Sequence, residues 1–153
     1  MRFKTLTIIH VICPLIIGGL IYISFRSLSL RLFTWFEMIG LNNITSSIRS
    51  VLYPLKNHLP SWTYFSLPDG LWVYSFSSAL ILLWHDQFKK GKYWLLIPLM
   101  FGVLIELAQK IKLFPGTFDI IDFTFSILAL SLSFIIIKPK IQKYKLAIRR
   151  KRN

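Results

Sequence analysis

The chain is organised around residues 101–129, FGVLIELAQKIKLFPGTFDIIDFTFSILA, because this stretch places acidic side chains inside otherwise apolar sequence. The chain has six acidic residues, and three of them, Glu106, Asp119 and Asp122, lie here beside the amide of Gln109. A carboxylate at the edge of a bilayer is costly unless it faces protein or water and has polar partners. The group is therefore a candidate functional site.

Two of these acids also have an ordinary structural explanation. Glu106 and Lys110 are spaced i, i+4, as in a surface ion pair at the end of a helix. Asp119 precedes an apolar run and is suited to cap the helix that begins there. Both alternatives stay open for the single residues, whereas three acids in one apolar segment favour a shared site.

The overall composition indicates an integral membrane protein. Hydrophobic residues make up 54% of the chain, the mean hydropathy is +0.57, and the apolar residues fall in long runs. The net charge is +13, but eight of the 19 basic residues lie in residues 138–153, a distribution that sets membrane topology and does not indicate nucleic-acid binding. The single cysteine, Cys13, excludes an intrachain disulfide, and no Cys/His cluster predicts a metal site or a cofactor.

The long apolar runs predict an all-α, polytopic membrane protein that forms a single membrane domain. A helix needs about 20 apolar residues to cross the hydrocarbon core, and this criterion predicts four transmembrane helices, over residues 6–25, 68–84, 93–109 and 118–137. Pro68 and Asp69 are expected to open the second span, because proline and acids suit the first turn of a helix.

Two further segments flank these spans. Residues 27–67 carry apolar side chains at helical spacing with Arg31 among them, which predicts an interfacial helical segment between the first and second spans. Asn42 or Asn43 is expected to cap the second helix of this segment. Whether it contacts lipid or protein stays open. Residues 138–153 are expected to form a basic tail.

The distribution of basic residues orients the four-span model. Thirteen of the 19 lie on the side of the termini and of residues 85–92, and six lie on the other side. The positive-inside rule then places both termini in the cytoplasm of a bacterial plasma or inner membrane. One consequence is that five polar side chains reach the outer leaflet together and predict a pocket open to the outside: Asp69, Glu106, Gln109, Asp119 and Asp122.

The motif Glu106-Leu-Ala-Gln109, the turn Pro115-Gly116-Thr117 and Asp122 at the start of a span resemble the VanZ-like family of small integral membrane proteins. The resemblance covers about residues 68–133 and implies, position by position, that Asp69 and Thr117 belong to the site as well. The chain departs from the family's usual lysine, histidine, arginine, asparagine and glycine at Gly70, Val73, Gly116, Ser126 and Ala129.

The resemblance implies a cell-envelope protein, since some members of the family are associated with reduced susceptibility to glycopeptide antibiotics. We expect the pocket to bind the polar head of a membrane lipid, of a lipid-linked envelope precursor or of a cationic amphiphile. The predicted ligand-binding residues are Asp69, Glu106, Gln109, Thr117, Asp119 and Asp122.

Two alternatives to a binding protein remain. The first is a non-enzymatic small subunit or scaffold that docks with other membrane proteins. The second is a membrane hydrolase or transferase in which one of the three clustered acids acts as general acid or base, although the sequence contains no familiar nucleophile or metal motif.

The topology is directly testable. A reporter fused after Asn153 should be active as a cytoplasmic fusion, and one inserted near Asn57 should be active as an extracytoplasmic one, because the basic residues are concentrated on the side of the termini. Activity on the opposite side at either position would contradict the predicted orientation.

Overall fold

The computed structural model describes residues 3–85, 87, 92–113 and 119–152, with only the backbone described for residues 92, 95, 99, 102, 103, 105, 106, 143–145 and 147–152. This part of the chain is helical and contains no strand, which confirms the all-α prediction. Its helices are α1 (Phe3–Phe25), α2 (Arg31–Met38), α3 (Asn42–Leu52), α4 (Ser61–Leu83), α5 (Leu96–Lys110) and α6 (Ile120–Arg152). Short 3₁₀ segments follow α3 at Tyr53–His58 and precede α5 at Lys92–Leu95.

Two of the described helices are long and apolar enough to cross a bilayer, namely α1 and the Ile120–Gln142 part of α6. Only 22% of the most apolar stretch of each is buried within the molecule, so both present apolar surface to their surroundings. In water such exposure costs about 25 cal/mol per Å². The described residues are therefore compatible with a membrane protein, with two candidate spanning helices where the sequence predicted four.

The predicted second and third spans differ from α1 and α6 in composition and in length. α4 has 23 residues, but it includes a set of buried serines that lowers its hydropathy: Ser66, Ser75, Ser77 and Ser78. α5 has 15 residues and is therefore about 22 Å long, which is shorter than a hydrocarbon core of about 30 Å.

The predicted start of α4 is wrong, because the helix begins at Ser61 and not at Pro68. Leu59 and Pro60 are both extended, as expected for a residue before proline and for proline at a helix boundary, and the helix follows directly. Pro68 lies inside α4 with its ring fully buried. Asp69 consequently lies in the third turn, away from the positive end of the helix dipole.

The predicted interfacial segment contains α2, α3 and the 3₁₀ turn after it, while residues 61–67 belong to α4. Both α2 and α3 are amphipathic, and they expose Trp35, Met38 and Val51. The predicted asparagine cap of α3 is wrong, since Leu41 is the N-cap residue. Gly40, with φ of 76°, ends α2 and allows the chain to start α3 almost at once.

α6 starts close to the predicted fourth span but does not end with it. The helix continues through Pro139 and the predicted basic tail as far as Arg152. Its small residues Ser126, Ala129 and Ser133 are buried, as expected for a face that packs against another helix.

α4 is the central helix of the bundle, because it packs most extensively against α6 and next against α1. Small residues allow both approaches. A Cβ added at Gly18 of α1 would lie 2.8 Å from Trp72 Nε1, and one added at Gly70 of α4 would lie 3.3 Å from Phe125 of α6. The contact between α5 and the other helices is much smaller.

The end of α1 is anchored to the segment that follows it by cationic side chains. Arg49 Nη1 donates to the carbonyl oxygens of Ile23 at 2.7 Å and Arg26 at 2.9 Å, and Lys56 Nζ donates to that of Phe25 at 3.3 Å. The last carbonyls of a helix lack intrahelical donors and carry partial negative charge, so these contacts satisfy and neutralise them. They fix α3 against the end of α1.

Adjacent glycines in α1 provide a matched test of the packing. Gly18→Ala should lower the free energy of unfolding by about 1–3 kcal/mol, because the new methyl group would collide with Trp72. Gly19→Ala adds a methyl group with nothing within 4 Å and should be neutral or slightly stabilising. Thermal unfolding of the detergent-solubilised protein measures both, and equal melting temperatures would contradict the close contact.

Candidate functional site

A cavity of about 1070 Å³ lies between α1, α4, α5 and α6. Charged and amide side chains from α4, α5 and α6, from the residue just after α1 and from the residue just before α6 line part of its wall: Arg26, Asp69, Gln109, Asp119 and Asp122. The remaining lining is mainly apolar: Val11, Leu15, Phe65, Trp72, Val73, Phe76, Ala79, Pro98 and Phe101, together with Ser75 and Ser126. The cavity extends from Phe65 to Ala79 along α4, which is about 21 Å of helix.

Four of the six predicted site residues therefore line one cavity, although they come from three different parts of the chain. Thr117 and the side chain of Glu106 lie outside the described residues, so their places in the site, and the possible Glu106–Lys110 ion pair, stay predictions. Among the described side chains, no group of three His, Cys, Asp or Glu residues could hold a metal ion.

Asp69 pairs with Arg26, which is not among the site residues predicted from the sequence. Arg26 Nη2 lies 3.5 Å from Asp69 Oδ2 and donates to the carbonyl oxygen of Phe65 at 3.1 Å. The guanidinium also lies over the rings of Tyr22 and Phe65, at 5.3 and 5.2 Å from their centroids. The two side chains are 23% and 36% exposed, so the ion pair contributes at most about 1 kcal/mol and mainly fixes the position of the guanidinium.

The two aspartates at the start of α6 have different roles. Asp119 Oδ1 accepts a hydrogen bond from the backbone N–H of Ile121 at 2.8 Å, which is the capping arrangement considered as its structural alternative. Asp122 lies one turn deeper, in the first turn of α6. Its Oδ1 atom is buried and has no hydrogen-bond partner among the residues that the structure describes.

Arg26 contributes a buried atom of the opposite kind. Its Nε donor also has no partner within the described part of the chain. An unsatisfied buried donor or acceptor costs about 1–3 kcal/mol. Both atoms are inaccessible to water, so their unused capacity is a cost to the fold and not a contact that the cavity offers.

A second polar group, the histidine cluster of His10, Tyr74 and Lys140, joins α1, α4 and α6. His10 Nδ1 lies 2.7 Å from Tyr74 Oη, and His10 Nε2 lies 3.0 Å from Lys140 Nζ. An ammonium group only donates, so Nε2 accepts and Nδ1 carries the proton that is donated to Tyr74. His10 is therefore a neutral, buried connector of three helices.

The histidine cluster coincides with an irregular stretch of α1. Residues Ile8–Ile12 form a π-helical turn, and the carbonyl oxygen of Val11 accepts a hydrogen bond from Ser75 Oγ at 2.8 Å. Such turns leave backbone groups available to other partners and often lie near functional sites. Val11 and Ser75 also line the cavity, so the histidine cluster lies next to its apolar part.

The sequence contained a signal for Arg26 but not for the histidine cluster. Arg26 ends the first apolar run, and in the predicted topology it shares a membrane depth with Asp69, so depth alone makes it a candidate partner. His10 and Lys140 are 130 residues apart, and their contact depends on how α1 and α6 are rotated about their axes. Neither spacing nor composition reports that rotation.

Comparisons of the chain with protein-family models, with curated proteins and with solved structures find no match.

The histidine cluster is testable by a mutant cycle. Tyr74→Phe should lower the free energy of unfolding by about 1–3 kcal/mol, because it leaves the buried His10 Nδ1–H without its acceptor. In a His10→Leu background the same change should cost much less, since the hydrogen bond is already absent. Tyr53→Phe, at an exposed residue, is the control. Denaturant titration in detergent measures all of these variants, and additive effects of His10→Leu and Tyr74→Phe would refute the bond.

Proposed function

We propose that this chain is a membrane-embedded binding protein whose cavity takes an amphiphile, with the polar head beside Arg26 and the carboxylates and the apolar part beside Val11, Leu15 and Ala79. The observation that carries the proposal is the division of one cavity wall into a charged portion and an apolar portion. A volume of about 1070 Å³ is at the upper end of the usual range for small-molecule sites, about 300–1,000 Å³.

In this proposal α4 and α5 cross the bilayer together with α1 and α6. The serines of α4 are buried within the bundle, where their hydroxyls are shielded from lipid. α5 exposes Met100 and Leu104, which suit contact with lipid chains. A helix of 15 residues is accommodated by local thinning of the bilayer at modest cost.

The orientation and the biological setting rest on the sequence. The excess of basic residues near the termini supports an outer-leaflet position for the charged part of the cavity. The resemblance to the VanZ-like family supports a role in the cell envelope, with a membrane lipid or a lipid-linked envelope precursor as the ligand and glycopeptide susceptibility as the phenotype to examine.

Filling the apolar part of the cavity tests the proposal. The protein, purified in a mild detergent, should retain amphiphiles that mass spectrometry detects. Ala79→Phe should reduce the retained amount several-fold, because the larger ring occupies the space beside the cavity wall. Leu83→Phe, one turn further along the same helix and 75% exposed, should retain as much as the wild type.

The two variants separate binding in the cavity from ordinary lipid contact. If lipid is held only on the outer surface of the helices, Ala79→Phe and Leu83→Phe should retain equal amounts of it, either both reduced or both unchanged from the wild type. Either result, in variants that accumulate and melt like the wild type, would overturn the proposed function.

A further inference from the structure

A second cavity, of about 560 Å³, lies against α3 in the segment between α1 and α4. Its polar wall is one face of α3 and of the turn that follows, because the residues fall at the i, i+3, i+4, i+7 spacing of a helix face: Asn42, Thr45, Ser46, Arg49, Ser50 and Tyr53. Leu28, Phe33 and Pro54 complete the wall. The second cavity shares no lining residue with the larger one, so it is a separate site.

Arg49 keeps part of its hydrogen-bonding capacity for this cavity. Its Nη1 atom is used at the end of α1, and its Cζ atom lies 5.6 and 5.1 Å from the ring centroids of Phe33 and Tyr53. Nε and Nη2 have no hydrogen-bond partner in the described part of the chain, and unlike Arg26 Nε they are not closed off from solvent. These two nitrogens share one edge of the guanidinium, which can bind a phosphate through two parallel hydrogen bonds.

Thr45 contributes a neutral donor one turn before Arg49. The residue is only 7% exposed, yet its hydroxyl has no hydrogen-bond partner among the described residues and is not closed off from solvent. Hydroxyl side chains in a helix commonly donate to a carbonyl of the preceding turn, as Ser46, Ser47 and Ser50 do here. An unused hydroxyl in a cavity wall, beside an unused guanidinium edge, indicates a ligand that accepts hydrogen bonds.

Charge distinguishes the two cavities. Three carboxylates line the larger one, whereas Arg49 is the one charged side chain among the described residues that line the smaller one. A single guanidinium with neutral donors suits a ligand with one negative charge, and the described wall has no carboxylate that would repel it. The surrounding residues 27–67 add to the attraction, since they include three basic residues and one acid.

The position of the second cavity favours a lipid over a free anion. The helices beside it, α2 and α3, are amphipathic and expose Trp35, Met38 and Val51, which suit the boundary between headgroups and acyl chains. Apolar Leu28 and Phe33 in the wall offer contacts to the glycerol backbone and the first acyl carbons of a lipid. A lipid held there would bring its phosphate to the level of Arg49.

We propose that the second cavity binds an anionic phospholipid whose phosphodiester accepts hydrogen bonds from Arg49 and Thr45. This ligand is additional to the amphiphile of the larger cavity. A neutral, hydroxylated remainder of the head suits Asn42, Ser46 and Ser50, which are exposed and uncharged. Phosphatidylglycerol has this chemistry. Phosphatidylethanolamine and phosphatidylcholine add a cation for which the described wall has no acid.

Adjacent serines of α3 provide a matched pair of variants. Ser46 and Ser47 are both exposed and both donate to the carbonyl oxygen of Asn43, but only Ser46 lines the cavity. Ser46→Glu places a carboxylate three residues before Arg49, where it pairs with the guanidinium and repels an anionic head. Ser47→Glu changes the net charge equally, but a residue two positions from Arg49 does not face it.

Retention from a defined lipid mixture measures the effect. The protein is reconstituted in nanodiscs that contain equal amounts of the three phospholipids, released into mild detergent, and examined by native mass spectrometry. The wild type and Ser47→Glu should retain phosphatidylglycerol about tenfold over phosphatidylcholine, a ratio that corresponds to about 1.4 kcal/mol. Phosphatidylethanolamine should also be retained less than phosphatidylglycerol. Ser46→Glu should remove most of the preference.

Thr45→Val separates binding from folding. Valine keeps the shape of threonine and removes a hydroxyl that has no partner within the described fold, so the variant should melt no lower than the wild type. It should nevertheless retain several-fold less phosphatidylglycerol. Thr34→Val, at an exposed residue of α2 that does not line the cavity, should retain as much as the wild type.

A lack of selectivity would overturn the proposal, whether it is equal retention of the three phospholipids by the wild type or the same preference in Ser46→Glu and Ser47→Glu. Displacement of the retained phosphatidylglycerol by excess inorganic phosphate would also overturn it, because the cavity would then take a free anion. The wild-type comparison needs no variant, so the test stands even if a variant does not accumulate. The amphiphile of the larger cavity is reported separately by Ala79→Phe against Leu83→Phe.

Discussion

The close approach of α1 to α4 at Gly18 is the contact on which the site depends. With no side chain at this position, the indole of Trp72 lies against α1, and Tyr22, one turn further along α1, stacks on it with centroids 5.3 Å apart. Another turn on, Arg26 lies over Tyr22 and reaches Asp69 of α4. The position of the guanidinium is therefore a consequence of helix packing two turns away.

The gathering of the acids was predictable because it depends only on where helices begin and end. Residues at the end of α5 and at the start of α6 must share a depth if the helices are antiparallel neighbours, and Gln109, Asp119 and Asp122 do line one cavity. Asp69 was assigned to this site because it was expected in the first turn of a helix, and that expected position is wrong. It lies in the third turn of α4 and is held by an ion pair, not by the dipole of a helix start.

What escaped prediction depends on rotation of the helices about their axes. Apolar residues surround α1 almost completely, so its sequence does not show which side faces α4, and the partners of His10 and Arg26 cannot be read from it. The start of α4 was missed for a local reason, because Pro60 and Pro68 both suit a helix boundary and only the buried ring of Pro68 shows that it is internal.

The shape of the cavity follows from the two different faces of α4. Ser66, Gly70 and Ser77 share one face, and the backbone there comes so close to Phe125 of α6 that no space is left for a ligand. The cavity lies instead along the face of Asp69 and Phe76, where α5 supplies part of the wall.

Because α5 packs much less extensively than the other bundle helices, it is the wall that can move at the lowest cost. Its cavity-lining residues Pro98, Phe101 and Gln109 fall on one side of the helix, so a small displacement of α5 changes both the apolar and the polar part of the wall. Arg26 and Asp69, by contrast, are held between α1 and α4, whose contact is among the most extensive in the bundle. A ligand would therefore meet one rigid charged wall and one adjustable wall, and the adjustable wall would set the size of the apolar part that the cavity accepts.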